Sequence, residues 1–330
     1  MFVPIVLATV CLASGTVLAA YDKPFYDVEE AQNLFEDFVQ EHKKVYNRRE
    51  YYERLAIFKE TLKNINEQNE KFPNTVFALN HFADLKPHEF QYYHGFEPPK
   101  DMNLTKLEIT EGLDSLPAEF DWRQYNKVTH VKNQGQCGNC FIFSAVGDIE
   151  GQYAIKHGQL ISLSEEQVLD CLAVGNCVGG YMEQVMQELA QRRMKLERER
   201  DYRYVAPPKR TCHHYYPSMG VVQCTSGRSI SIMNEEQLKV HLVSRGPISI
   251  TLNANDFYYY RKGILIPYKC QRKPINHALV LVGYGEENGQ KYWTIKNSWG
   301  TAWGEQGYLR ILRGVNACAI GSYLAESTVA

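Results

Sequence analysis

The chain has 330 residues, enough for one large domain or two medium ones with well-buried cores. Its formal net charge is −2 and charged residues make up 22% of it, so the composition gives no sign of a nucleic acid or a membrane surface as a partner. No internal repeat is present, and the organisation of the chain is therefore read from changes in its local pattern.

An apolar segment opens the chain. Residues 1–20 are mostly apolar and end in the small residues Ala19 and Ala20, a pattern typical of a cleaved secretory signal peptide, with a buried hydrophobic helix as the alternative. No other stretch approaches the roughly 20 apolar residues of a membrane span, so the mature chain is expected to be soluble. We therefore predict the secretory pathway as the route and the lysosome or the extracellular space as the destination.

Residues 28–70 have the pattern of two amphipathic helices. Ala31, Leu34, Phe35 and Phe38 recur at helical spacing, and a basic, polar break follows at 42–49. The same periodicity returns from residue 51 to residue 69. Residues 86–115 are polar and proline-containing and carry the sequon Asn103-Leu104-Thr105, which predicts an exposed linker glycosylated at Asn103.

The character changes at Leu116. Helical patterns dominate to about residue 200, and strand-like runs follow at 247–252, 277–283, 291–296 and 307–312. Asn288-Gly289 lies between two of these runs and predicts a hairpin. Helices first and antiparallel strands later indicate an α+β domain of two packed subdomains with a cleft between them.

Two cysteines three residues apart, Cys137 and Cys140, precede an apolar helical pattern that ends at His157-Gly158. The spacing would suit metal ligands, a redox pair, or a structural cysteine beside a reactive one. The last interpretation fits best, because the chain lacks a second ligand pair and a thioredoxin-like strand context, so no metal is predicted. Cys140 would lie at the N-terminus of a buried helix, where the macrodipole favours a thiolate.

The motifs along the chain resemble a known family. The string from Gln134 to Cys140 is similar to the signature around the nucleophile of the papain and cathepsin family, in which a His and an Asn follow roughly 130–150 residues later. Upstream, Glu50, Arg54, Phe58, Ile65 and Asn69, followed by Asn80, Phe82 and Asp84, resemble cathepsin L-type propeptide motifs. The strings Phe120-Asp121-Trp122-Arg123 and Tyr153-Ala154-Ile155-Lys156-His157, together with Cys224, resemble baculovirus-type viral cathepsins.

This resemblance implies a papain-like two-subdomain fold, with a helical left half, an antiparallel β-barrel-like right half and the active-site cleft between them. It divides the chain into a signal peptide (1–20), a helical inhibitory propeptide of the cathepsin L type (21–115) and a peptidase domain (116–330). An ordinary helical domain is the alternative for residues 21–110.

The resemblance also implies the roles of the site residues. Cys140 would be the nucleophile, His277 its proton shuttle and Asn297 the acceptor that orients the imidazole, with Trp299 shielding that hydrogen bond. Gln134 would donate to the oxyanion together with the backbone N–H of Cys140. The residues implied to contact substrate are Gly138, Gly179, Gly180, Tyr181, Met182, Asn276, Ala278, Trp299 and Tyr323. Tyr323 would narrow the floor of the main specificity pocket and favour side chains of medium size.

Nine cysteines are present, and Cys11 would leave with the signal peptide. With Cys140 free, at least one more must stay unpaired, and spacing alone leaves the connectivity open. The resemblance implies the bonds Cys137–Cys177, Cys171–Cys212 and Cys270–Cys318, with Cys224 as an alternative partner of Cys171.

The expected function is that of an acid-activated cysteine endopeptidase made as a zymogen and using a thioester acyl-enzyme. The expected partners are protein and peptide substrates, the chain's own propeptide and cystatin-like inhibitors; a monomer with no cofactor is expected. Phe141, Ile142 and Asn139 depart from the family pattern beside the nucleophile, so a catalytically weakened homologue acting as a binding protein is the alternative. An acyltransferase using the same triad is a third possibility.

Overall fold

The computed structural model describes residues 21–98, 104–112, 116–205, 211–212, 220–271 and 273–330. The predicted signal peptide and the predicted glycosylation site Asn103 lie outside these ranges. Among the described helices, none combines the length and the apolar character that a bilayer crossing requires.

Two helices form the N-terminal segment, as the periodicity predicts. Helix α1 spans Ala31–Glu41 and α2 spans Arg48–Lys71. Asn47 is the N-cap of α2, and its side chain accepts a hydrogen bond from the backbone N–H of Glu50. Their facing apolar stripes bury a small core of their own; its members are Ala31, Phe35, Phe38, Leu55, Phe58, Leu62 and Ala83. This segment therefore carries its own packing centre.

The chain after α2 lies against the remainder of the molecule. Strand β1 (Thr75–Phe77) and a 3₁₀ helix at Pro87–Tyr93 precede strand β2 (Thr105–Lys106). The prediction of an exposed linker from residue 86 is wrong for the first part of this range, since Tyr93, Gly95 and Phe96 are buried. Its aromatic residues pack against the following domain, an outcome that the polar average of the segment hides.

The first subdomain is largely helical. Its elements are α3 (Cys140–His157), α4 (Glu165–Cys171), β4 (Gly175–Asn176), β5 (Gly179–Gly180), α5 (Met182–Gln191) and β6 (Lys195–Leu196). Helix α3 is buried around most of its circumference and ends at Gly158, whose φ of 72° suits glycine. It is the central helix on which the other elements pack.

The second subdomain is a mostly antiparallel sheet. Its elements are β3 (Phe120–Asp121), β7 (Val222–Ser231), α6 (Glu235–Arg245), β8 (Ile248–Leu252), β9 (Tyr260–Leu265), β10 (His277–Glu287), β11 (Gln290–Lys296), β12 (Tyr308–Leu312) and β13 (Leu324–Val329). The strand order is β1-β9-β12-β11-β10-β8-β13-β7-β2, with β3 paired to β10 and β6 to β7. The N-terminal segment thus supplies the strand at each end of this order.

The β10–β11 hairpin turns at Asn288-Gly289, as predicted. Both residues have positive φ, 53° and 76°, the geometry that the tight primed hairpin turn demands. The turn fixes the register between β10, which begins at His277, and β11, which ends at Lys296.

The disulfide bonds implied by the resemblance are confirmed: Cys137–Cys177, Cys171–Cys212 and Cys270–Cys318. Cys224 is therefore not the partner of Cys171. Its thiol is buried and lies 3.4 Å from the carbonyl oxygen of Met186 and 3.2 Å from that of Ser226.

Candidate active site

Cys140 is the first residue of α3 and lies at the junction of the two subdomains. Its thiol is free and fully buried. The sulfur is 3.4 Å from the backbone nitrogen of Ala278, the residue that follows His277 on β10. The end of the helix and the start of the strand therefore bring the sulfur and the imidazole to one place.

His277 is oriented by its neighbours on the far side of the ring. Its Nε2 atom lies 2.8 Å from the Oδ1 atom of Asn297, and the ring of Trp299 stacks on the imidazole with 4.8 Å between centroids. Asn297 follows β11, which pairs with β10, so the sheet itself sets this distance. The Nδ1 atom of His277 is buried and makes no hydrogen bond.

Gln134 lies in the loop that leads to the nucleophile and is completely buried. Its side-chain nitrogen donates to the carbonyl oxygen of Cys137 at 2.8 Å, and its side-chain oxygen accepts from the hydroxyl of Ser298 at 2.7 Å. An amide nitrogen carries two hydrogens, so one remains to reach an oxyanion. Ser298 was missed by the sequence analysis, although it adjoins Asn297.

Burial dominates the electrostatics of the reacting pair. Desolvation raises the pKa of the Cys140 thiol to about 12, although backbone N–H groups oppose this shift. Desolvation lowers the pKa of His277 to about 3, against the effect of the Asn297 hydrogen bond. With the cleft covered, both groups are held neutral, and the thiolate–imidazolium pair is disfavoured.

The N-terminal segment covers the cleft through Gly95. The backbone N–H groups of Gly95 and Phe96 lie 3.3 and 3.2 Å from the carbonyl oxygen of Asn276, and the Gly95 carbonyl accepts from Gly180 at 3.1 Å. A side chain on residue 95 would overlap the carbonyl of Gly138. The glycine pair of β5 therefore binds an extended backbone, as the sequence predicts for a substrate.

The same segment fills the apolar pocket next to β5. The ring of Phe96 lies 4.9 Å from that of Tyr323 and 5.8 Å from that of Tyr181, and it shares a buried cluster with Met182 and Ala278. The pocket holds the Phe96 ring of the covering segment against the ring of Tyr323. That Tyr323 favours substrate side chains of medium size stays a prediction.

The resemblance implies that the propeptide runs through the cleft in a non-productive direction, opposite to that of a substrate. The chain reaches Gly95, beside Asn276 and Gly138, before it reaches the pocket that holds Phe96. Upstream of these, the backbone carbonyl of Tyr93 accepts from the indole of Trp299 at 3.2 Å. Three successive contacts thus fix a reversed chain over the nucleophile. Gly95 and Phe96 were not predicted as site residues; the aromatic residues near them indicate burial but not the contacts that they make.

One cluster of metal-binding residue types occurs among the described residues. It consists of Asp256, Cys270 and Cys318, but the two cysteines form a disulfide bond. The Asp256 carboxylate instead accepts backbone N–H groups, including that of Cys270 at 2.9 Å. These residues do not offer a set of ligands for a metal.

A cysteine and a histidine in a cleft between two subdomains, covered by the chain's own N-terminal segment, define a cysteine protease proenzyme. The model of the papain family cysteine protease matches residues 116–328, and that of the cathepsin propeptide inhibitor domain (I29) matches residues 35–90. The chain therefore belongs to the papain family of cysteine proteases.

Relatives of similar length support this assignment. The chain is 37% identical to a viral cathepsin of Adoxophyes honmai nucleopolyhedrovirus, with 98% of each chain covered. It is 39% identical to a viral cathepsin of Orgyia pseudotsugata multicapsid polyhedrosis virus, with 96% of each covered. Among solved structures, the digestive procathepsin L2 proteinase of Tenebrio molitor larval midgut matches with a TM-score of 0.81 and 34% identity, over 90% of this chain and 99% of that one.

Proposed function

We propose that this protein is a secreted or lysosomal endopeptidase that cleaves peptide bonds by a Cys-His-Asn mechanism after acid removes its propeptide. The observation that carries the proposal is the Asn297–His277–Cys140 arrangement beneath a reversed peptide segment. A backbone held between Asn276 and Gly180 lies over the nucleophile, so a peptide of the opposite direction would present a carbonyl there.

The reaction follows from the positions of these groups. His277 accepts the thiol proton at Nδ1, and the Cys140 sulfur attacks the scissile carbonyl carbon. Gln134 and the backbone N–H of Cys140 stabilise the oxyanion. The imidazolium then protonates the leaving amine, and a thioester remains on Cys140. Water, deprotonated by His277, hydrolyses the thioester and restores the free thiol.

Acid activation would act on charged contacts within the propeptide. Arg54 on α2 contacts Glu50 at 3.1 Å and Glu89 at 2.6 Å, and Lys44 pairs with Asp84 at 2.9 Å. Protonation of these carboxylates removes the pairing. A signal peptide at residues 1–20 would deliver the proenzyme to the secretory pathway. In acidic lysosomal or extracellular sites the proenzyme would lose its propeptide. The mature enzyme would then act as a monomer that cystatin-like inhibitors can bind.

The departures from the family pattern do not favour a binding protein. Phe141 stands directly behind the nucleophile, and its ring packs so closely on Gly180 that a side chain there would overlap it. Phe141 therefore supports the glycine pair that binds substrate. The contacts of Cys140 with Ala278, of His277 with Asn297 and of Gln134 with Ser298 support an enzyme over a binding protein.

The deciding experiment is to acidify the purified proprotein and to measure cleavage of a peptide with Phe in the position that binds the Tyr323 pocket. We expect activity and labelling of Cys140 by a thiol-directed epoxide, both abolished in Cys140→Ala. A folded, processed chain with neither activity nor label would contradict the proposal and favour the weakened binding protein.

A further inference from the structure

The hydroxyl of Tyr204 contacts Gln134, which carries one proposed oxyanion donor, and Asn139, which precedes the other at Cys140. Tyr204 follows β6 and is remote in sequence from the nucleophile, but its Oη atom lies 2.8 Å from the backbone carbonyl oxygen of Gln134 and donates to it. The Oη atom of Tyr204 also accepts a hydrogen bond at 3.0 Å from the side-chain nitrogen of Asn139. One hydroxyl thus joins residues on both sides of the Cys137 loop.

Asn139 stands directly before Cys140 and at the N-cap position of α3, but its side chain does not cap the helix. An asparagine at this position ordinarily accepts a hydrogen bond from the first turn. Here the side chain is fully buried and is directed to Tyr204 instead. Asn139 therefore makes a tertiary contact and no capping interaction.

This contact lies beside the peptide group between Asn139 and Cys140. The N–H of that peptide is one oxyanion donor, and the side-chain amide of Gln134 is the other. Fixing Asn139 orients the first donor, and fixing the Gln134 main chain positions the second. Oxyanion donors act through preorganised distances. Hydrogen bonds of Asn139 and Gln134 with one hydroxyl would therefore hold the two donors at a fixed separation.

Tyr204 is itself held on the nucleophile helix. Its ring packs edge-on against Phe143 of α3, with 4.9 Å between centroids, and its backbone N–H donates to the side chain of Glu199 at 3.1 Å. The hydroxyl is therefore presented by a fixed ring and not by a freely rotating side chain.

We propose that Tyr204, acting with Asn139, is a positioning residue that sets the geometry of the oxyanion hole. The inference rests on the proposed function, since it assigns an oxyanion role to Gln134. It predicts a defect confined to steps that create an oxyanion. Attack by the thiolate on an alkylating agent creates none, and it should be spared.

The test compares the processed wild-type enzyme with Tyr204→Phe and with Tyr202→Phe as a matched control. Tyr202 lies two residues away and its hydroxyl bonds to Asp170 at 2.9 Å, so its loss removes a comparable hydrogen bond that does not touch the oxyanion donors. The measurements are kcat and KM on a peptide substrate, the inhibition constant of a peptide aldehyde, and the rate of alkylation by iodoacetamide across pH.

For Tyr204→Phe we expect kcat to fall about tenfold, less than the loss of a whole oxyanion donor, and the aldehyde to bind more weakly by a similar factor. KM, the alkylation rate and its pH profile should stay within about twofold of the wild type. Tyr202→Phe should behave as the wild type. Unchanged kcat in Tyr204→Phe, or a parallel fall in alkylation, would overturn the inference. An inactive wild-type enzyme would instead refute the proposed function.

Asn139→Ala provides a second test that does not depend on the tyrosine. It should reproduce the loss of kcat with normal alkylation, and the double variant Asn139→Ala/Tyr204→Phe should be no worse than the more impaired single variant. Effects that multiply in the double variant would show two independent residues and would contradict a common role.

Discussion

At the scale of single residues, the docked propeptide controls the chemistry of Cys140 through burial. The thiol and the imidazole of His277 are both inaccessible, and each is pushed towards its neutral form. In the proposed mechanism, removal of the propeptide would restore water to the cleft and let the ion pair form. The nucleophile is thereby silenced by its surroundings while remaining chemically intact.

This predicts that iodoacetamide at pH 8 labels Cys140 at least about 100-fold faster after processing than in the proenzyme, because burial raises the thiol pKa to about 12 beforehand. Cys224 is an internal control, since it is also buried, with a pKa raised to about 12 by desolvation, and makes its contacts within the mature domain. Mass spectrometry of labelled peptides gives both rates. Equal labelling of Cys140 in the two forms would contradict the prediction.

A second prediction at this scale concerns Phe96. Truncating a buried phenylalanine to alanine costs roughly 3–5 kcal/mol, so Phe96→Ala should loosen the propeptide at neutral pH. We expect the proenzyme to hydrolyse a small fluorogenic peptide at pH 7 at least about tenfold faster than the parent. Phe25→Ala is the matched control, because Phe25 lies in the same propeptide but is 82% exposed. If both variants raise the activity of the proenzyme at pH 7 equally, the contact of Phe96 with its pocket does not hold the propeptide in place.

At the scale of elements, an arginine connects α2 to the 3₁₀ helix at Pro87–Tyr93. Burial opposes ionisation of Glu89, but hydrogen bonds from Arg54 and from the backbone of Lys86 outweigh it and lower the pKa of the carboxyl. A carboxyl with a lowered pKa stabilises the docked form above its ordinary pKa. That contribution is lost as the pH falls through the lowered value.

Glu89→Gln should therefore release the propeptide at a higher pH than the parent, by about half a pH unit or more, since the charge pairing is then absent at every pH. The pH at which half of the proenzyme is processed in a fixed time is the measurement. Glu60→Gln serves as control, because Glu60 pairs with Lys63 at 2.7 Å on the exposed face of α2. A midpoint in Glu89→Gln that equals that of the control would rule out this contact as a determinant.

Sequence periodicity predicts the elements whose signal is local. Helices α1, α2 and α3 and the β10–β11 hairpin follow from apolar spacing, from a terminal glycine and from Asn288-Gly289. The predicted strands are found within a few residues of their expected bounds. Strands β7 and β13 were missed, because their pairing partners are about 100 residues apart and no local pattern encodes that contact.

The candidate site divides in the same way. Cys140, His277, Asn297 and Gln134 stand in recognisable strings, so their types and order were available from the sequence. Ser298, Tyr204 and Phe96 act through distances between segments far apart in the chain. Such contacts become visible only when the sheet and α3 are assembled.

At the scale of the whole molecule, the propeptide and the peptidase domain share a hydrophobic core. Phe77, Phe82 and Tyr93 of the propeptide belong to the same buried cluster as Trp293 and Trp299 of the sheet subdomain. Release of the propeptide would therefore expose apolar surface, so the proposed acid activation requires an opposing change in charge. His94, whose ring lies 6.4 Å from that of His277, would supply one such change.

Burial lowers the pKa of His94 to about 4, whereas a free histidine titrates near 6.5. The released form binds the proton more readily, so docking weakens as the pH falls from about 6.5 towards 4. In His94→Gln this contribution is absent, and the midpoint of processing should move about half a pH unit lower. His88→Gln is the control on the exposed part of the same segment. A midpoint that stays in place would exclude His94 from the acid response.

The reversed chain over Cys140 also bears on the proposed maturation. While Gly95 occupies the cleft, a second peptide segment cannot enter it, and the described segments on either side of the proposed cleavage region are held by the pairing of β2 with β7 and of β3 with β10. A molecule that stays docked cannot cut its own chain there, so its first cut would come from a different molecule that is already open. Processing at fixed pH should show a lag that shortens as the proenzyme concentration rises or as a trace of mature enzyme is added, and a lag independent of concentration would indicate self-cleavage within one chain. Activation of these molecules would consequently be autocatalytic, and its onset would depend on their local concentration.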